Sequence, residues 1–287
     1  MSNYANRYER AFAEAKSRGE TLFMPYLMAG FPSQAETVGL AKALHGGGGG
    51  AIELGMPFSD PLADGPTIQV ANSVALAGGA GIDHVLDSVR QLRADGVEIP
   101  ITLMGYLNPL LAYGRTHGAA DAANDMSSLE PFARAAAEAG ADGMIVVDLP
   151  PEESDDALAA LRANNLCLVY LLAPTSTPER IADVAQRACG FIYLVSVTGT
   201  TGARDSLPPD LVDFVARVRS ATQLPLAVGF GVSNREQVET VGRLCEAAVI
   251  GSAVITTVQE AAPADRIATL RTFAEVVTGR RREEAAQ

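Results

Sequence analysis

Eight short apolar runs, spaced along the whole chain and separated by stretches of helical periodicity, constrain the fold more than any other feature. They occupy residues 23–28, 51–54, 101–104, 143–147, 167–172, 191–195, 225–228 and 247–250. Each is continuously apolar rather than alternating, which is how strands read when a parallel sheet is covered on both faces. Residues 34–44, 82–94, 129–139, 152–163, 178–188, 210–220 and 235–245 carry apolar positions at helical spacing between polar ones. Two of these segments open on start signals: Thr177 before Pro178 and Glu179, and Ser233 with Glu236 three positions on as a capping box.

Eight alternating units predict a closed (β/α)8 barrel of the TIM type, one domain over residues 1–287, preceded by a charged amphipathic helix within residues 1–19. A doubly wound open sheet usually has fewer strands and, where it binds a dinucleotide, an early G-x-G-x-x-G turn that this chain lacks. The five-glycine run at 46–50 precedes a strand rather than following one, so it reads as a link from helix to strand, not a phosphate loop. Two connections look long for a compact barrel, residues 55–81 and 106–128, and both fall on the face where barrels place their active sites.

Composition narrows the function. With 34 acidic against 22 basic residues the formal charge is −12, which argues against nucleic acid or an anionic membrane surface as the main partner. Cys167, Cys189 and Cys245 are scattered and lack paired spacing for zinc or redox chemistry, and His45, His84 and His117 share no chelating spacing, so no metal site is expected. No apolar run approaches the ~20 residues of a membrane helix, and the first helix is too charged for a signal peptide. A soluble cytoplasmic protein is expected.

The chemistry is sought at strand ends. Glu53 lies inside the run Ala51, Ile52, Glu53, Leu54, where a carboxylate belongs only if the strand opens into a cleft or the group is ion-paired. No lysine or arginine stands near it in sequence, and a desolvated carboxylate with a raised pKa suits a general acid and base. Asp64 follows in a loop held by Pro57, Pro61 and Pro66, which fix φ and remove donors. Glycines recur after later strands, at Gly199 and Gly202, at Gly229 and Gly231, and at Gly251 before Ser252. Backbone N–H groups there, with helix N-termini after the seventh and eighth strands, predict a phosphate cradle that needs no side-chain cation.

The run from Glu53 through Gly55, Met56, Pro57, Phe58, Ser59, Asp60, Pro61, Leu62, Ala63, Asp64, Gly65 and Pro66 to Gln69 resembles the signature of the tryptophan synthase alpha chain family. The likeness continues at Pro25-Tyr26, Tyr106-Leu107-Asn108-Pro109, Asp148-Leu149-Pro150-Pro151, Thr201-Gly202-Ala203-Arg204, Gly229-Phe230-Gly231-Val232-Ser233 and Gly251-Ser252-Ala253. The resemblance implies cleavage of indole-3-glycerol phosphate to indole and glyceraldehyde 3-phosphate, with Glu53 moving protons and Asp64 holding the indole N–H. It further implies that Tyr193 lines the site beside the reacting carbons and that Tyr26, Met104 and Phe230 line the indole pocket. Thr201 and Gly202 correspond to the family's mobile loop, the glycine meeting phosphate together with Gly231, Gly251 and Ser252. No cofactor is expected in this chain. Pyridoxal phosphate is expected in a β subunit that receives indole within an α2β2 assembly. Two departures from the family pattern are the glycine run at 46–50 and a lengthened segment at 114–128. A sugar-phosphate epimerase or isomerase would share the cradle but not the Glu53 to Gln69 signature. A silent regulatory subunit would not need both carboxylates, and a standalone lyase would differ in needing no β partner.

Overall fold

The computed structural model describes residues 3–118, 129–195, 210–229 and 231–281, with the side chains of 3–6 left aside. The strands are β1 (Leu22–Met28), β2 (Ile52–Gly55), β3 (Ile101–Gly105), β4 (Gly143–Val146), β5 (Cys167–Leu168), β6 (Leu171–Leu172), β7 (Ile192–Val195), β8 (Leu226–Gly229) and β9 (Ala247–Ile250). All pairings are parallel, in the order β5-β4-β3-β2-β1-β9-β8-β7-β6.

The two ends of that order are halves of one apolar run. β5 pairs with β4 and β6 with β7. Between them the Val169 N–H donates to the Met144 carbonyl (2.9 Å), and the Tyr193 N–H donates to the Tyr170 carbonyl (3.0 Å). Residues 167–172 therefore change neighbour midway and close the sheet into a barrel. The single run read from sequence becomes two short ladders because strand tilt gives each half a different partner.

Around the barrel lie α1 (Asn3–Ser17), α2 (Thr37–Gly46), α3 (Pro66–Ala77), α4 (Ile82–Ala94), α5 (Leu107–Thr116), α6 (Leu129–Ala139), α7 (Asp155–Ala163), α8 (Pro178–Arg187), α9 (Leu211–Arg219), α10 (Arg235–Gly242), α11 (Ser252–Glu260) and α12 (Arg266–Val277). The long connections at 55–81 and 106–128 are helical in part, since α3 and α5 stand inside them. α3 starts with Pro66 in its first turn, where the missing N–H costs nothing. Thr177 caps α8 as expected, its hydroxyl accepting the Arg180 N–H. The second start signal lies one residue later than the sequence suggested. Asn234 caps α10 by accepting the Gln237 N–H, while the Gln237 side chain accepts the Ser233 N–H. Gln237 thus takes the reciprocal role assigned to Glu236.

The core has two compartments. One fills the layer between strands and outer helices, and the other fills the barrel interior with Met24, Ile145, Val169, Phe191, Ala227 and Val249. α1 plugs the amino-terminal end of that interior. Its Tyr8 and Phe12 rings lie 5.6 and 6.2 Å from the Phe191 ring, and the Tyr8 hydroxyl bonds the Thr102 hydroxyl at 2.6 Å. Each such ring contributes about 3–5 kcal/mol by the usual cost of truncating a buried aromatic. Beside the plug, fully buried Asp142 receives Arg93 at 2.6 Å and Arg7 at 3.0 Å and accepts the Ile101 N–H, tying α1, α4, β3 and β4 together. The bottom is closed, so access to the interior is left to the opposite end.

The glycine run also finds its reason. A Cβ at Gly47 would press against the Ala274 side chain and the Arg271 carbonyl of α12, and Gly48 has φ +115°. At Gly47 the segment turns away from α2 under α12, which leaves no room there for a side chain.

Candidate active site

Parallel strands send their carboxyl ends to one face, so residues near the ends of β1, β2, β3 and β7 meet there. Register places Tyr26 of β1 beside Glu53 of β2, and Glu53 beside Thr102 of β3. Glu53 is 1% exposed, and its Oε2 has no hydrogen-bond partner among the described residues. Burial, then the charge of Asp64, push its pKa up to about 8. A buried carboxyl with an unpartnered oxygen and no cation beside it among the described residues resolves its desolvation cost by holding its proton.

Asp64 sits where the loop after β2 enters α3. The Tyr106 hydroxyl donates to Asp64 Oδ2 at 3.0 Å, Gln69 Nε2 donates to the Asp64 carbonyl at 2.8 Å, and the Asp64 N–H reaches the Pro61 carbonyl at 3.1 Å. Burial raises Asp64 to about 6, and the Tyr106 bond opposes the rise. The loop itself is pinned by Asn72 of α3, whose Oδ1 accepts the Phe58 N–H at 2.7 Å. Two carboxyls in one cluster thus differ in ionisation between about pH 6 and 8, Glu53 neutral and Asp64 charged.

Tyr26 and Tyr193 complete the walls, both buried, with hydroxyls held neutral by burial and by the fields of Glu53 and Asp64. The Tyr26 side chain lies across Gly55 and the Tyr193 side chain across Gly229, so closely that a Cβ at either glycine would collide with the hydroxyl. Glycine at the end of β2 and of β8 is a condition for those rings to reach the site. Met104, half-buried, stands at the end of β3, where its carbonyl accepts the Met56 N–H.

On the same face, Gly251 and Ser252 start α11, a helix without a side-chain cap, so its first N–H groups are open to an anion. The start of α10 differs, because Asn234 already fills it. Gly231, at φ +91°, lies in the turn between β8 and α10. Thr201, Gly202 and Phe230 lie outside the described residues, as do residues 119–128 of the lengthened segment.

Tyr106 and Gln69 stand inside the quoted motifs without an assigned role, and Asn72 lies outside them. Tyr106 could have been found as the first residue beyond a strand in a barrel, where side chains point into the site. The amides carried no signal, because their partners are backbone groups brought near by folding.

The class that fold and cluster define is a (β/α)8-barrel protein with two buried carboxyls, Glu53 on β2 and Asp64 in the loop after it, gathered on the face formed by the carboxyl ends of its strands. Comparison with known proteins specifies it. Residues 12–284 match the family model described as tryptophan synthase alpha chain, and the chain belongs to that family. It is 44% identical over 274 residues to the tryptophan synthase alpha chain of Roseiflexus sp. (strain RS-1), covering 96% of this chain and all of that one. Among solved structures it resembles tryptophan synthase subunit alpha from Legionella pneumophila str. Paris, with a TM-score of 0.84, 34% identity and 97% and 98% of the two chains covered. It also resembles a chain of Mycobacterium tuberculosis tryptophan synthase, with a TM-score of 0.83, 32% identity and 95% and 97% covered.

Proposed function

We propose that Glu53 and Asp64 together perform the cleavage that makes this chain a carbon–carbon lyase, the conversion of indole-3-glycerol phosphate to indole and glyceraldehyde 3-phosphate. The observation that carries the assignment is the burial of both carboxyls in one cluster, Glu53 with an oxygen that meets no partner among the described residues and Asp64 bonded by the Tyr106 hydroxyl. Indole cannot leave as a carbanion, so C3 of the ring must first accept a proton, and neutral Glu53 is the acid. Protonation places positive character on the ring nitrogen, which ionised Asp64 stabilises more in the transition state than in the ground state. The hydroxyl on the adjoining side-chain carbon then yields its proton to the Glu53 carboxylate. Its oxygen becomes the aldehyde carbonyl, and the electron pair of the breaking carbon–carbon bond returns to the ring, restoring neutral indole and neutral Glu53.

Tyr26, Met104, Tyr193 and Phe230 are assigned to the walls around the indole, and Thr201 to substrate binding, with Asp64 as its contact. Gly202, Gly231, Gly251 and Ser252 are assigned to the phosphate. The uncapped start of α11 supports that part, since it offers an anion site on a chain of net charge −12.

Members of the family work with a β subunit. We assign this chain the same partner in an α2β2 assembly, with pyridoxal phosphate held by the β subunit and no cofactor here. Residues 1–287 act as one domain in the cytoplasm; among the described residues no helix is long and apolar enough to cross a membrane. An apolar strip beside the site mouth supports a docked partner: Leu62 is 81% exposed, and Val70 and Val74, one turn apart on α3, are 48% and 37% exposed.

The test is indole release from indole-3-glycerol phosphate by wild type and Asp64→Asn, each with and without a β subunit. Weak wild-type release that rises with β and falls by several kcal/mol in the variant's chemical step is expected. Wild-type turnover in Asp64→Asn would overturn the assignment.

A further inference from the structure

We propose that Tyr106 is a positioning residue for the cleavage, one hydroxyl locking the orientation of Asp64 by bonding both its carboxylate and the backbone before it. The proposal rests on the assignment of Asp64 made above. The Tyr106 oxygen accepts the Ala63 N–H at 3.0 Å and donates to Asp64 Oδ2 at 3.0 Å. A backbone N–H can only donate, so the hydroxyl must accept from Ala63, and its single proton is left for the carboxylate. The direction of the bond is therefore fixed by the fold, and the acceptor it favours is an ionised Asp64.

The tyrosine is itself held from two sides. Its ring packs on Phe58 with centroids 5.0 Å apart, and Phe58 is tied through its N–H to Asn72. The next residue, Leu107, donates its N–H to Asp148 Oδ1 at 2.8 Å, so the turn from β3 into α5 is anchored to the loop after β4. Tyr106 is 5% exposed, and displacing the hydroxyl would leave Ala63 and Asp64 to find new partners in a nearly dry site. Besides Tyr106, the titratable groups among the described residues that act on Asp64 or feel its charge are Glu53 from β2, Tyr26 from β1 and Tyr193 from β7. None of them is a cation. Among the described residues the Tyr106 proton is thus the side-chain group on this cluster that favours charge on Asp64, and it lowers the Asp64 pKa against the effect of burial.

Tyr106→Phe keeps the ring on Phe58 and removes only the hydroxyl. Indole release measured from pH 5.5 to 9 should show kcat lowered by about 10- to 100-fold, the usual worth of one hydrogen bond to a charged group, with KM little changed. The acid limb of the profile should move to higher pH, because Asp64 loses the bond that favours its ionised form. A merely structural tyrosine would lower urea stability and leave that limb in place. Incorporating 3-fluorotyrosine at position 106, which sharpens the donor without altering the packing, should move the limb the opposite way. An unmoved limb in both variants, or unchanged kcat in a folded Tyr106→Phe, overturns the proposal. Asp64→Asn assayed alongside separates the two ideas. If it is inactive while Tyr106→Phe behaves as wild type, only the role of Tyr106 fails; if Asp64→Asn is active, the assignment of Asp64 fails first.

Discussion

Replacing Glu53 by glutamine should destroy activity and at the same time stabilise the protein, an unusual pairing whose size follows from the site. The Glu53 pKa is raised from an ordinary 4.5 to about 8 by burial and by Asp64. That rise corresponds to ~5 kcal/mol of preference for the neutral form. A carboxyl whose folded pKa exceeds its unfolded value binds more protons when folded, so it draws stability down as pH climbs from about 4.5 to about 8. Above that window the full cost of ionising Glu53 is present. Glutamine has nearly the same shape and no charge, so most of that cost disappears, less what its amide loses on desolvation. Urea unfolding followed by circular dichroism at pH 5, 7 and 8.5 should find the variant close to wild type at the lowest pH. At the highest it should be more stable by a few kcal/mol. Indole release should vanish throughout. Equal stability differences at all three pH values would show that Glu53 ionises freely when folded, and retained indole release would remove it from the mechanism.

The same ionisations predict a bell-shaped kcat/KM profile with an acid limb near 6, where Asp64 takes up a proton, and a basic limb near 8, where Glu53 loses its own. A pH-rate series read for indole checks both limbs. Gly229→Ala should force the Tyr193 ring out of the site, because the added Cβ meets its hydroxyl; activity should fall well before stability does, as assay and melting curve together would show. Removing one member of the buried ion cluster by Asp142→Ala should cost about 3–5 kcal/mol in urea unfolding, since Arg93, 12% exposed at its side chain, is left without its counter-charge. Asn234→Ala should cost about 1 kcal/mol through the lost cap of α10 and leave turnover intact.

Much of the barrel was legible in the chain because strands covered on both faces are written as unbroken apolar runs, and helices by their spacing. The helices at Ile82–Ala94 and Leu129–Ala139 and the strand at Ala247–Ile250 coincide with the segments so marked. α3 and α5 escaped notice for a local reason. Proline, glycine and small residues dominate the approach to α3, and α5 carries Pro109 within its first turn, so both read as loop. Glu53 could be singled out because a carboxylate inside an apolar run has few explanations. The interruption of the fifth run could not, since which neighbour a backbone pairs with depends on strand tilt, and tilt belongs to the closed barrel.

Sequence alone determined the eightfold alternation of strand and helix, the two carboxyls that stand out within it and the family resemblance. Those follow from side-chain chemistry and spacing along the chain. Tertiary structure decided what the carboxyls do in each other's presence. Only after closure does Glu53 lose water without gaining a cation among the described residues, while Asp64, eleven residues on, meets the hydroxyl of Tyr106. Only then do the glycines at the ends of β2 and β8 prove to be room for two tyrosine rings, and the start of α11, unlike that of α10, prove to lack a side-chain cap. Ionisation and fit are set by what surrounds a group in space, and those surroundings come from residues far apart in the chain.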